Sequence, residues 1–221
     1  MAVDGPSGSG KSSASKGVAR ALGLRYLDTG AMYRALTWWF MDQNADTSDA
    51  VNVTGRVAEP RIEVSTDPDD PWTRVDGRDV SDAIRSREVS RQVSVVARVP
   101  AVRERLIAMQ RAIITVAGPG IVAEGRDIGT VVAPDAQVKV FLTADSEARA
   151  RRRAAERSAE VDVTEADQAR RDRLDAAQSA KADDAVLIDA TDLTLDEVIR
   201  EITTLARERS ALACTGIEAH D

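Results

Sequence analysis

The sequence predicts an α/β protein in which a parallel sheet is flanked by helices. Three observations carry this. Apolar runs alternate with helical stretches along most of the chain, the rhythm of strand–helix–strand units. A glycine-rich loop joins the first apolar run to the first helix. Residues 55–80 or so break the rhythm with two alternating segments around a proline-containing turn, the sign of an antiparallel insertion.

The elements follow in order. Ala2-Val3-Asp4 read as the end of a buried strand, short for a central one. After the glycine loop, Ser12 to Leu22 reads as a helix, and Arg25-Tyr26-Leu27-Asp28 as a short strand ending at Thr29-Gly30. Ala31 to Met41 places Met32, Leu36, Trp39 and Phe40 on one helical face, and Tyr33, Trp38 and Trp39 are expected in the core. Residues 43–60 are polar and weakly patterned. Arg61 to Ser65 and Trp72 to Asp76 alternate as strands on either side of Asp67-Pro68-Asp69-Asp70-Pro71. Ser81 to Ala97 and Pro100 to Thr115 read as helices, the second with proline in its first turn.

Gly120 to Glu124 and Gln137 to Leu142 read as buried strands, followed by a basic helix from Ser146 to Arg157. Residues 158–166 are polar and acidic, and Glu165 to Asp175 reads as a helix. Ala185 to Asp189 is the last strand and Thr194 to Arg209 the last helix, with Asp196 and Glu197 where acids suit the helix dipole. The division expected is a core of residues 1–44 and 100–210, an insertion at 45–99, and a tail at 211–221 whose Cys214 and His220 have no assigned role.

Composition narrows the partners. The 221 residues carry a formal net charge of −7, which argues against nucleic acid or a membrane surface and leaves room for a small anion in a local positive pocket. No apolar run approaches the roughly 20 residues needed to span a bilayer. The single cysteine makes no internal disulfide and fits a reducing, cytoplasmic setting. A monomer is expected.

Gly5-Pro6-Ser7-Gly8-Ser9-Gly10-Lys11-Ser12 fits G-x-x-x-x-G-K-[ST], the loop that curls backbone N–H groups around the phosphates of a nucleotide. Glycines keep side chains out of the way. Lys11 reaches the outer phosphates, the Ser12 hydroxyl suits Mg²⁺, and Ser13 continues into a helix whose N-terminus favours anions. The expected co-substrate is therefore ATP with Mg²⁺, and Glu124 is a candidate second metal contact through water. No guanine-reading N-K-x-D occurs, which excludes a typical GTP switch. A small-molecule kinase needs a second anionic seat and a lid. Glu124-Gly125-Arg126-Asp127-Ile128-Gly129-Thr130 sits at the end of a strand, where open parallel sheets bind ligands. Arg149, Arg151, Arg152, Arg153 and Arg157 repel one another along the basic helix, and a bound polyanion relieves them; Arg153 and Arg157 are the candidates to swing over the transferring phosphoryl group.

Asp28-Thr29-Gly30-Ala31-Met32-Tyr33-Arg34, Gly77-Arg78-Asp79-Val80-Ser81 with Ile84-Arg85, Pro100-Ala101-Val102-Arg103, Gly125 to Val132, and Lys139-Val140-Phe141-Leu142-Thr143-Ala144 resemble the motifs of bacterial cytidylate kinases, in the same order, from residue 1 to about 200. The resemblance implies a three-layer P-loop NTPase fold with an inserted nucleoside-monophosphate-binding subdomain and a short lid at about 154–166. It implies transfer of a phosphoryl group from ATP to CMP or dCMP, with lines of contact as follows. Ser94, Arg103 and Asp127 read the cytosine, whose amino group a carboxylate accepts and whose O2 and N3 suit an arginine. Arg34 and Arg126 grip the acceptor phosphate, Thr29 lies beside the nucleotide, and Arg171 and Asp175 serve phosphate and ribose. Lys11, Arg126, Arg153 and Arg157 make the catalytic set. The sequence departs from the family pattern at Gln178, where an arginine is usual, and at Ser179-Ala180-Lys181. Two rival readings remain: a P-loop kinase for another monophosphate or small metabolite, and a nucleotide-binding regulator without turnover.

Overall fold

The computed structural model describes residues 1–149 and 179–215. Eight strands and six helices are described in this region: β1 (Ala2–Asp4), α1 (Lys11–Leu22), β2 (Arg25–Asp28), α2 (Thr29–Asp42), α3 (Ala50–Arg56), β3 (Ile62–Val64), β4 (Thr73–Val75), β5 (Arg78–Asp79), α4 (Arg87–Val96), α5 (Pro100–Thr115), β6 (Ile121–Gly125), β7 (Lys139–Thr143), β8 (Val186–Asp189) and α6 (Leu195–Thr215). Five strands form one sheet in the order β2-β6-β1-β7-β8, every pairing parallel.

β1 is short but lies between two partners, Val3 beside Glu124 on one side and Val140 on the other. Its chain leaves through α1 towards β2, while β7 lies on the opposite side. The carboxyl end of β1 is thus the point where strand order reverses, the usual ligand crevice of an open sheet.

Successive strand residues face opposite layers. Ala2, Leu27 and Ala123 join a core with Met32, Leu36, Phe40 and Leu106. Val3, Tyr26, Val122, Val140 and Leu142 join the other, with Val18, Ile188 and Ile202. Gly17 sits inside α1 because α6 passes against it: a Cβ there would run into the Ile199 side chain.

The inserted region packs onto the first layer. β3, β4 and β5 form an antiparallel sheet, and Val53, Ile62, Val75, Val80 and Ile84 share one buried cluster with Leu27 and Leu36. Backbone and guanidinium contacts tie it down. The Tyr26 amide donates to the Thr66 carbonyl at 2.9 Å, and Arg105 donates to the carbonyls of Val57 and Pro60.

Four boundaries differ from the sequence reading. The polar stretch 43–60 contains α3, capped by Asp49, whose carboxylate accepts from the Val51 and Asn52 amides. A third strand, β5, extends the hairpin. The single helix expected over Ser81–Ala97 is a 3₁₀ turn, Ala83–Arg85, and then α4; Ser86 turns extended between them (φ −57°, ψ 160°) and its hydroxyl accepts from Val89 N. Serine at an N-cap outweighs a continuous hydrophobic period. The last helix runs to Thr215, so residues 211–215 belong to it and not to a tail. The 154–166 lid, most of the basic helix, the 165–175 helix, Gln178 and His220 lie outside the described residues, as does the Cys214 side chain.

Candidate active site

The loop after β1 is shaped by backbone. Gly5, Gly8 and Gly10 have φ of 146°, 79° and 91°, values that favour glycine. A Cβ on Gly5 would collide with the Leu142 carbonyl oxygen, so the loop lies directly against β7. Gly10 is the N-cap of α1 and offers no side chain to cap it, and no acid stands in the first turn. By contrast α2, α3 and α4 are each capped by a side chain, Asp28, Asp49 and Ser86. The start of α1 thus has neither a side-chain cap nor an acid in its first turn, the setting in which a helix N-terminus favours an anion. Pro6, Ser7, Ser9 and Ser13 complete this turn, with Ser7 and Ser9 buried. The Lys11 ammonium folds back to donate to the Pro6 carbonyl at 2.7 Å, at the mouth of the loop.

Behind the loop stands a buried polar relay. The Ser12 hydroxyl donates to Glu124 Oε2 at 3.0 Å, and the Tyr26 hydroxyl donates to Glu124 Oε1. Burial first, and the neighbouring Asp28 charge second, push the Glu124 carboxyl up to about 7. Burial and the Glu124 charge together hold the Tyr26 phenol in its protonated form. Asp4, at the end of β1, accepts from the Ile128 and Gly129 amides at 2.8 Å each and so fixes the turn that follows β6. Burial raises its carboxyl above the usual range.

That turn carries the second wall. Asp127 is 7% exposed and pairs with Arg103 of α5. Arg126 is half-buried beside it. Arg34 of α2 donates to the Ser90 hydroxyl at 2.9 Å and to the Ile84 carbonyl at 3.3 Å. Ser94 of α4 is buried, and its hydroxyl has no hydrogen-bond partner among the described residues. Thr29 donates to the Glu124 carbonyl at 2.6 Å, so its proton is committed within the protein.

Of the sequence-predicted residues, the structure brings Ser12 together with Glu124, and Arg103 with Asp127. Arg153, Arg157, Arg171 and Asp175 lie outside the described residues. At the start of the basic helix, Arg149 donates to the Ser7 carbonyl at 3.2 Å, which puts a guanidinium on the glycine loop. Tyr26 was missed, although a strand tyrosine buried on both sides needs a partner for its hydroxyl. Gln110 was missed as well. It is 1% exposed on the same face of α5 as the apolar Val102 and Leu106, and a polar residue on an otherwise buried stripe is the signal.

The family model for cytidylate kinase matches residues 1–208. The chain belongs to the cytidylate kinase family. A cytidylate kinase of Streptomyces avermitilis is 50% identical over 216 residues, covering 96% of this chain and 94% of that protein. One from Mycolicibacterium paratuberculosis is 49% identical over 96% of this chain and 97% of its own length, and one from Corynebacterium glutamicum is 44% identical over 93% of each. Cytidylate kinases are ATP-dependent phosphotransferases, and the parallel, helix-flanked sheet with its phosphate loop at the switch point is the architecture this family uses.

Proposed function

We propose that the protein transfers the γ-phosphoryl group of ATP to CMP or dCMP, giving ADP and CDP or dCDP, as a cytoplasmic monomer. The observation that supports the reading is two unlike groups around the end of β1: an N-terminus of α1 without a side-chain cap, and the Arg103–Asp127 pair, with Asp4 feeling the charges of both Asp127 and Lys11. No helix among the described residues is long and apolar enough to cross a membrane.

ATP lies along the loop of residues 5–13, on the backbone N–H groups that follow Pro6, with Lys11 on its outer phosphates and Arg149 at the loop's edge. Ser94, Arg103 and Asp127 hold the cytosine, and Arg34 and Arg126 the acceptor phosphate. Thr29 supports this seat through its bond to Glu124. Arg171 and Asp175 are assigned to phosphate and ribose, and Arg153 and Arg157 to the transferring group, from the family likeness. A CMP phosphate oxygen attacks the γ-phosphorus in line, the bond from that phosphorus to the β,γ-bridging oxygen breaks, and its electrons leave with ADP. The attacking oxygen is already anionic at neutral pH, because the second phosphate pKa is about 6, so no general base is required.

Ser12 and Glu124 suit Mg²⁺: they are hard oxygen donors, and the hydroxyl that gives its proton to Glu124 keeps lone pairs for a cation. When bound there, the ion supplies charge neutralisation across the β- and γ-phosphates. Glu124 would hold it through water.

The test is ADP formation from ATP with CMP, dCMP, UMP, AMP and shikimate offered in parallel. CMP and dCMP are expected to lead. AMP outrunning CMP contradicts the reading, and ATP binding without acceptor-dependent ADP release would make the protein a regulator.

A further inference from the structure

Glu124 is 3% exposed, and a carboxylate taken out of water is costly unless its oxygens find donors. Three hydroxyls from three elements hold this residue. Thr29, at the start of α2, donates to the Glu124 carbonyl at 2.6 Å and fixes the backbone. Ser12 of α1 donates to Oε2 at 3.0 Å. Tyr26 of β2 donates to Oε1. Of the three, only Ser12 belongs to the phosphate loop.

Strand register explains how Tyr26 reaches the acid. Tyr26 lies opposite Val122, and Asp28 opposite Glu124, on the paired strands β2 and β6. Alternation puts Tyr26 and Glu124 on one face as diagonal neighbours, within the reach of an aromatic side chain. The Tyr26 ring is buried in the apolar layer that holds Val18 and Val122, and only its hydroxyl meets a polar group. The last torsion of a glutamate is broad, so a single donor leaves the carboxylate free to swivel. Donors on both oxygens, from two different elements, fix its twist.

Resting on the ATP and Mg²⁺ part of the reading above, we infer that Tyr26 is a positioning residue for the metal: by holding Oε1 of Glu124, its hydroxyl keeps Oε2 turned to Ser12 and to the ion that Ser12 and Glu124 suit. Tyr26 touches neither nucleotide nor metal and acts through Glu124 alone. For stability only, an apolar pair in place of Tyr26 and Glu124 would serve about as well, because removing both partners of a buried hydrogen bond is nearly neutral. The pair has a use where one oxygen of a buried acid must face the loop. Groups that orient a metal-holding side chain typically change metal affinity about 10- to 100-fold when removed.

Tyr26→Phe removes the hydroxyl and keeps the ring. Calorimetry compares wild type and variant for ATP in EDTA, ATP with excess Mn²⁺, and CMP. The variant is expected to bind metal-free ATP and CMP as the wild type does, and to lose about tenfold of the affinity that Mn²⁺ adds to ATP. In a Glu124→Gln background the same change is expected to cost no further metal affinity, since Tyr26 acts through the carboxylate. An undiminished Mn²⁺ effect overturns the inference. So does an equal loss for all three ligands, the mark of a general slackening of the fold, or a full further loss in the Glu124→Gln background. A measurement that leaves Tyr26 in place covers a variant that does not fold. The chain has two tyrosines, so Tyr33→Phe protein grown with 3-fluorotyrosine carries its label at position 26 alone. Electron–nuclear double resonance on its Mn²⁺–ATP complex is expected to show a fluorine coupling to the ion, and its absence overturns the inference. Wild-type protein that shows these metal effects but forms no ADP with CMP would instead sink the cytidylate reading itself.

Discussion

The two walls of the site are built from different materials. The donor wall is one continuous stretch, Gly5 to Ser13, and its ligand groups are peptide amides. The proposed acceptor wall draws side chains from four places: Arg34 on α2, Ser94 on α4, Arg103 on α5, and Arg126 and Asp127 after β6. Backbone donors need glycine and an open helix end, and give no information about the base. Side chains can read a base, but must be buried, oriented and paired to do so. In the proposed reading, the donor wall recognises phosphate in general and the acceptor wall chooses the substrate.

Removing the one side chain on which the donor wall depends should have the largest effect. Lys11→Ala is expected to lower turnover by about 10²–10³-fold or more, while circular dichroism and melting stay close to those of the wild type, since the ammonium lies on the loop, donating to the Pro6 carbonyl, and not in the apolar core. Loss of folding would mean that Lys11 belongs to the core.

Within the same loop, Gly5 and Gly10 sharpen the contrast. Gly5→Ala drives a Cβ into the Leu142 carbonyl at φ 146° and is expected to cost about 4 kcal/mol or more in urea unfolding. Gly10→Ala meets nothing within 4 Å and bears only the strain of φ 91°, about 1–2 kcal/mol. Equal costs would show that the loop is not pinned on β7.

On the acceptor wall, Asp127→Asn breaks the pair with Arg103 and puts an amide where the cytosine amino group needs an acceptor. CMP kcat/KM is expected to fall about 30- to 100-fold, with UMP less affected, because an amide can donate to the uracil O4. An unchanged CMP-to-UMP ratio would remove Asp127 from base reading.

A further effect concerns pH. Burial, opposed by Arg103, pushes the Tyr33 phenol up to about 12, against 10 for an exposed tyrosine. Below pH 10 the phenol is protonated in both folded and unfolded chains and its contribution is intact. Between pH 10 and 12 only the unfolded chain releases the proton, so stability falls as pH rises, by up to about 3 kcal/mol. Tyr33→Phe should flatten that part of the unfolding profile, measured by urea midpoints at pH 9 to 11.5.

The same contrast decides what could be read from the sequence. The donor wall is contiguous, so its pattern was legible residue by residue, down to Lys11 and Ser12. The parallel strands were legible too, because buried strands read as short apolar runs. The proposed acceptor wall is legible only through family motifs such as Gly125-Arg126-Asp127, because what brings Arg103 to Asp127 is tertiary packing and not spacing. The same holds for Tyr26, whose partner Glu124 is 98 residues away. Helix boundaries at Asp49 and Ser86 were set by capping side chains in stretches without glycine or proline punctuation, where hydrophobic period alone misleads.

The most direct test of the account is a structure determined with CMP and a non-hydrolysable ATP analogue bound together. The account predicts the analogue's phosphates on the amides that open α1, and the cytosine amino group against Asp127. A cytosine seated away from the Arg103–Asp127 pair, or a phosphate-free glycine loop, would contradict it.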